Sequence, residues 1–284
     1  MRKKLLNLPP LPAVLLAIIS VQAGAAIAKG LFPILGAATT ASLRIGLSAL
    51  ILLLVNRPKF KSLTRVQWKA VIPYGLCLGA MNFIFYMAIK RIPLGLGVTL
   101  EFIGPLLVAI LGSKRIADYL WVLLAGAGIA LIAPWNTTGI DPLGVGLALL
   151  AGAFWAGYII MGGKISRLMK GSDAVSIGMV FATVLILPFG MSSGGFSQLT
   201  PVLLFSGLAL ALLSSAIPFT LEMRALRQMP ARTFSILMSM EPGIAALCGL
   251  VFLHEHLSFK EWLAVTLVIV ASAGATLTAK RDKL

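Results

Sequence analysis

The sequence predicts an all-α membrane protein, with ten transmembrane helices in two inverted five-helix repeats. Three observations predict it. First, the 284 residues have a mean hydropathy of +0.98 and only 12% charged side chains, where a soluble domain carries about 25%. Second, windows of about 20 apolar residues, the length that crosses a hydrocarbon layer of roughly 30 Å, recur along the chain. Third, two of these windows, 92–112 and 229–250, resemble each other. Each has a carboxylate near its middle and two prolines twelve residues apart, Pro93 to Pro105 and Pro230 to Pro242.

In order, the predicted spans are roughly 11–29, 38–55, 67–89, 94–112, 119–134, 143–163, 173–190, 201–221, 231–253 and 259–279. Met1-Arg2-Lys3-Lys4 before an apolar run imitates a signal peptide. The many spans that follow, and the later counterpart of this one, favour a first transmembrane helix. Nineteen of the 24 Lys and Arg residues fall on one side of the membrane: at the two termini and in 56–69, 114–115, 164–170 and 224–232. Lys29, Lys90, Arg91 and Lys260 fall on the other side. The excess of basic residues in cytoplasmic loops then predicts that both termini are cytoplasmic. The net charge of +15 reads as those loops rather than as a nucleic-acid surface. Cys77 and Cys248 lie inside apolar spans, so no structural disulfide is expected.

GAATTASLRIGLSALILL from Gly36 aligns with GSDAVSIGMVFATVLILP from Gly171 at an offset of 135, and the proline pairs align at 137. Residues 1–135 and 136–284 therefore read as two copies of one five-helix unit. Five is odd, so the second copy must cross the membrane upside down. Secondary transporters built this way place their substrate near the bilayer midplane, between the halves. Duplication without functional consequence is the alternative.

The polar residues inside the spans are the candidate site. Glu101 precedes Gly104-Pro105, and Glu241 directly precedes Pro242. An acidic residue at the bilayer centre costs roughly 2.5–3.5 kcal/mol and usually faces a cavity or a partner. A proline there also frees a backbone carbonyl. Either the two acids form a structural arrangement, or they bind a substrate ammonium and carry a coupling proton, since loss of water disfavours a carboxylate's charged form. Arg44, roughly 9 Å into span 2, either snorkels to the surface or turns inward to Glu101 or a substrate carboxylate. Gln22 and Asn82 offer amide hydrogen bonds to a zwitterion or to a neighbouring helix. Trp155 and Tyr158, three apart, share a helix face and either pack or line a cavity. Gly75 and Gly79 have the spacing of a close helix contact.

Lys29 reads as an interfacial anchor, and Glu222 with Arg224 as an interfacial pair. His254-Glu255-His256 lacks the spacing that puts two imidazoles on one helix face, so no metal is expected. No nucleophile-elbow, phosphate-loop or dinucleotide fingerprint is present. Neither a catalytic residue nor a cofactor is expected, and the chain does not read as an enzyme.

Three blocks carry a resemblance to a known family. They are Gly79-x-Met81-Asn82 with Phe85-Tyr86, then Pro93-Leu94-Gly95-x-x-Val98-x-Leu100-Glu101-Phe102-x-Gly104-Pro105, and Pro230-x-Arg232-Thr233-Phe234 running on to Leu237-Met238-Ser239-Met240-Glu241-Pro242. With the ten spans, they resemble the EamA-type branch of the drug/metabolite transporter superfamily over nearly the whole chain, and more narrowly its threonine/homoserine exporters. The usual Gly-Glu near the end of the penultimate span appears here as His254-Glu255. The resemblance implies efflux of small neutral amino acids from a bacterial cytoplasm through the inner membrane. Export of aromatic amino acids, other metabolites or drugs is the rival within transport. A membrane enzyme or a non-transporting scaffold is the rival outside it. The expected partners are a small amino acid and the lipid bilayer, not nucleic acid, and the sequence fits a monomer and a dimer alike.

Overall fold

The computed structural model describes residues 9–111, 116–132, 140–165, 167–218, 221, 225, 228 and 237–278. Among these the regular elements are all helical. Helix α1 (Pro10–Asn56) contains both predicted spans 1 and 2. Where the sequence suggests a loop between them, the helix kinks instead. Gly36, three residues after Pro33, adopts φ 74° and ψ 155°, a backbone conformation open mainly to glycine.

Helix α2 (Arg65–Ile89) starts from a capping box, with the Thr64 hydroxyl accepting the Gln67 N–H and the Gln67 side chain accepting the Thr64 N–H. That exchange satisfies two of the donors a helix start leaves open. The predicted fourth span is split at Phe102 into α3 (Leu94–Glu101) and α4 (Ile103–Leu111). Helices α5 (Ile116–Ile132), α6 (Pro142–Ile165) and α7 (Gly171–Ser192) follow. Helix α8 (Pro201–Ala211) runs into a π-helical turn, Leu212–Ala216. Helices α9 (Glu241–Leu253) and α10 (Phe259–Thr278) complete the described chain.

Helices α1, α2, α6 and α7 are long and apolar enough to cross a membrane, and shorter apolar helices lie at Leu94–Val108, Tyr119–Leu131, Pro201–Ser215 and Glu241–Leu253. Large apolar side chains point outward, with Val202 and Phe205 more than 70% exposed, as suits a bundle whose solvent is lipid. Small residues sit where helices cross. A methyl group on Gly75 would lie 2.6 Å from the Gly178 carbonyl oxygen, and one on Gly79 would lie 2.8 Å from the Ala182 Cα. The Gly75/Gly79 stripe of α2 therefore faces α7. The central apolar cluster joins Phe32 of α1, Tyr86 of α2, Val98 of α3, Ala151 of α6 and Ala245 of α9. It sets the two interrupted segments, α3 and α9, side by side in the middle of the bundle.

At one end of the bundle Arg91 pairs with Asp141 at 2.7 Å, and the other Asp141 oxygen accepts the Leu143 N–H at 2.9 Å. The Arg91 guanidinium holds the Asp141 carboxyl below its ordinary range. This pair therefore keeps its charge at neutral pH and loses it only in acid.

Candidate transport site

The two helix interruptions create the site. Helix α3 ends at Glu101, and the chain turns through Phe102 (φ −66°, ψ −14°) before α4, where Pro105 lacks an N–H. The turn is held by close backbone approach. A methyl group on Gly104 would collide with the Gly152 carbonyl oxygen, and one on Gly152 would lie 2.6 Å from the Glu101 carbonyl oxygen. Helix α6 can thus lie directly against the break, and it brings Trp155 edge-on to Phe102 with ring centroids 5.4 Å apart. In the second interrupted segment, a turn at Ser239-Met240 leads into α9, which opens on Glu241 and Pro242. Proline is well placed there, because the first turn of a helix has no intrahelical acceptor for an N–H at that position.

These elements line a cavity of about 140 Å³. Helix α1 contributes Gln22 and Arg44, α2 contributes Asn82 and Tyr86, and α3 contributes Glu101. Trp155 comes from α6, Ser214 from the π-helical turn and Glu241 from α9. Arg44 is buried and turns inward rather than snorkelling. Its Nη2 donates to Asn82 Oδ1, and the guanidinium lies 5.0 Å from the centroid of the Tyr86 ring, within cation–π range. The Asn82 amide nitrogen donates to the Leu78 carbonyl at 2.8 Å, which leaves its oxygen for Arg44. Glu101 and Glu241 are 9% and 5% exposed, and Glu101 is within electrostatic reach of both Glu241 and Arg44.

Four buried polar atoms have no protein hydrogen-bond partner among the described residues: Gln22 Oε1, Arg44 Nε, Tyr86 Oη and Ser214 Oγ. All four belong to residues that line this cavity. Buried polar atoms are nearly always bonded, so the concentration of unused capacity here is chemistry suited to a polar ligand.

Of the seven residues singled out from the sequence, Gln22, Arg44, Asn82, Glu101, Trp155 and Glu241 line the cavity. Tyr158 does not. Its ring stacks on Tyr74 at 4.9 Å, away from the cavity. Tyr86 and Ser214, which were not singled out as candidate site residues, also line the cavity. Tyr86 sits in a block shared with the resembled family, whereas Ser214-Ser215 in span 8 gives no signal. Glu222, Arg224, Pro230, Arg232, Thr233 and Phe234 lie outside the described residues.

A second polar cluster joins three elements at the end of the bundle that carries Arg91. Lys29 Nζ pairs with Glu255 Oε1 at 2.5 Å and donates to the Ile92 carbonyl at 2.6 Å. Glu255 Oε2 accepts the Leu94 N–H at 2.7 Å, capping α3. Lys29 is thus more than an interfacial anchor. It ties α1 to the start of α3 and to the segment after α9.

Residues 142–277 match the EamA-like transporter family. The threonine/homoserine exporter RhtA of Salmonella typhimurium (strain LT2) is 42% identical over 275 residues, covering 96% of this chain and 93% of that one. The exporter of the same name from Escherichia coli K12 is 41% identical over the same shares. An uncharacterized Bacillus subtilis transporter, YwfM, is 26% identical over 72% of this chain and 71% of its own. One crystal structure superposes with a TM-score of 0.57 over 95% of this chain and 99% of that chain, at 17% identity. That likeness speaks for the fold alone. Taken with the apolar helices, the matches place the chain in the EamA-like transporter family of the drug/metabolite transporter superfamily, on the branch of the threonine/homoserine exporters.

Proposed function

We propose that this protein exports small neutral amino acids of the threonine and homoserine kind across a bacterial inner membrane, by alternating access. Its ten spans form two inverted repeats, 1–135 and 136–284, with both termini in the cytoplasm. The observation that carries this reading is the charge set of the cavity, one guanidinium with two carboxylates. A zwitterion fits that set. Its carboxylate is recognised by Arg44, which has an unused Nε donor and forms the stronger class of charge-assisted hydrogen bond. Its ammonium is recognised by Glu101 and Glu241. At about 140 Å³ the cavity is smaller than the roughly 300–1,000 Å³ typical for drug-sized ligands, which favours a small amino acid over a drug or an aromatic cargo.

Among the described cavity residues, the carboxylates outnumber the guanidinium by one. Either an ammonium or a proton offsets the surplus negative charge, so the two compete for the same place. That competition is the physical basis for proton antiport. The test is uptake of labelled threonine and homoserine into inverted membrane vesicles, with and without an imposed proton gradient. The expected result is uptake driven by the gradient in the parent, and slower, gradient-insensitive uptake in Glu241→Gln. No uptake, with protein verified in the vesicles, would overturn the export reading. Uptake indifferent to the gradient in the parent would remove the antiport and leave facilitated export.

With both termini in the cytoplasm, as proposed, the Lys29–Glu255 cluster lies at the outer end, where it acts as a closure that must part when the cavity opens outward. Lys29→Ala and Glu255→Gln are each expected to change the export rate several-fold, and the double variant no more than either alone, because both remove the same tie. Fully additive effects in the export assay would show that the two residues act separately.

A further inference from the structure

The residue after Leu213 occupies an unusual position. A single π-helical turn inside an α-helical run is rare and is often found at a functional site. Here it spans Leu212–Ala216 and is fastened from both legs of α1. The Ser20 hydroxyl donates to the Leu213 carbonyl at 2.8 Å, and the Ser48 hydroxyl donates to Ser215 Oγ at 3.0 Å. Between these two anchored residues stands Ser214, a residue of the cavity lining whose buried hydroxyl has no hydrogen-bond partner among the described residues. The backbone of α1 makes room for it. A methyl group on Gly24 would occupy the place of Ser214 Oγ. A serine in an ordinary helix turns its hydroxyl back to a carbonyl one turn earlier, as Ser176 does to Ser172 at 2.8 Å. Ser214 makes no such bond among the described residues and holds its hydroxyl against α1 at Gly24, beside the cavity.

We infer that Ser214 determines specificity, reading the side-chain hydroxyl of a hydroxylated amino acid together with Gln22, which also lines the cavity and whose Oε1 likewise has no partner among the described residues. This inference rests on the proposed amino-acid export. The charged groups of the cavity recognise the ammonium and carboxylate that every amino acid shares, so they cannot separate one side chain from another. A neutral donor and acceptor can. A site that leaves a buried polar group unpaired when the hydroxyl is missing discriminates against the analogue that lacks it.

The experiment compares export of threonine with that of 2-aminobutyrate, which is threonine without its hydroxyl. Parent, Ser214→Ala and Ser215→Ala proteins are assayed in the same vesicles, and their melting temperatures are measured after purification. The parent is expected to prefer threonine. Ser214→Ala is expected to lower the threonine-to-2-aminobutyrate ratio roughly 3- to 10-fold, the loss of one hydrogen bond. Its melting temperature should be unchanged or higher, because an unbonded buried hydroxyl has been removed. Ser215→Ala, which leaves the Ser48 hydroxyl without its partner, should melt lower. An unchanged ratio in Ser214→Ala, or a parent without preference, would overturn the specificity role while export stands. A Ser214→Ala protein that melts as low as Ser215→Ala, or fails to accumulate, would show a structural serine and overturn it equally. A parent that carries neither amino acid would overturn the export reading itself.

Discussion

Replacing Arg44 by glutamine is expected to lower threonine export roughly 100-fold. The residue has no surface route for its charge. It is buried, donates to Asn82, lies over the Tyr86 ring and shares a cavity with Glu101 and Glu241. Truncating one partner of a buried, hydrogen-bonded charge pair at a binding site costs about 2–5 kcal/mol, much of it from the charge left behind. Every 1.4 kcal/mol is a factor of ten, so a cost of about 3 kcal/mol, within that range, is a hundredfold loss. Part of that loss is carboxylate recognition, and the rest is the unbalanced acids. Arg44→Lys separates the two. A lysine keeps the charge but replaces a rigid fork of donors by a single point, so it cannot serve Asn82 and a carboxylate with the same geometry. Export by Arg44→Lys is expected about tenfold below the parent and well above Arg44→Gln. Transport near the parental rate in Arg44→Gln, with the protein present in the membrane, would mean that Arg44 holds no substrate.

Gly104→Val is expected to cost stability rather than rate alone. A side chain at that position would be driven into the Gly152 carbonyl, which is backbone and cannot rotate aside. Overpacking of this kind typically costs about 1–3 kcal/mol, and a branched side chain against a fixed carbonyl belongs at the top of that range. Helix α6 and the break after Glu101 would be forced apart, moving Trp155 and the carboxylate together. The expected result is a marked fall in folded protein in the membrane, with a melting temperature several degrees below the parent for what remains. Gly146→Ala on α6, the helix packed against this break, meets nothing within 4 Å and should behave as the parent. A Gly104→Val protein as stable as Gly146→Ala would show that the close approach does not hold the site together.

How far the site was legible from the sequence can be argued residue by residue. Glu101 and Glu241 were visible because a carboxylate deep in an apolar window, beside a proline, has few low-energy places to go. Arg44 was half visible, since a long side chain about two turns from the surface can point either way. The Asn82 oxygen and the Tyr86 ring that draw it inward come from another helix. Tyr158 was misleading for a geometric reason. Three residues on an α-helix turn the direction by about 60° from a full circle, enough for Trp155 to meet the cavity while Tyr158 meets Tyr74. Ser214 was invisible because no composition signal marks a π-helical turn. Glu255 was marked only by its resemblance to the family's Gly-Glu, and its partners Lys29 and Leu94 were hidden, since only the tertiary fold brings them to it. An interruption near Gly36 was expected as a loop between two spans; that it is a kink within one helix was hidden, because glycine inside an apolar run does not announce its φ.

Helix α1 touches the π-helical turn twice, through Ser20 on one side of Gly36 and Ser48 on the other. The turn is therefore a keystone seated between two arms that share a single glycine hinge. If the arms splay, one of the two clasps must slip, and the residue between them shifts its aim. On the proposed site, grip on cargo and the angle of that hinge would become one variable: a molecule seated against the keystone would brace the arms, and a swing of the arms would dislodge it.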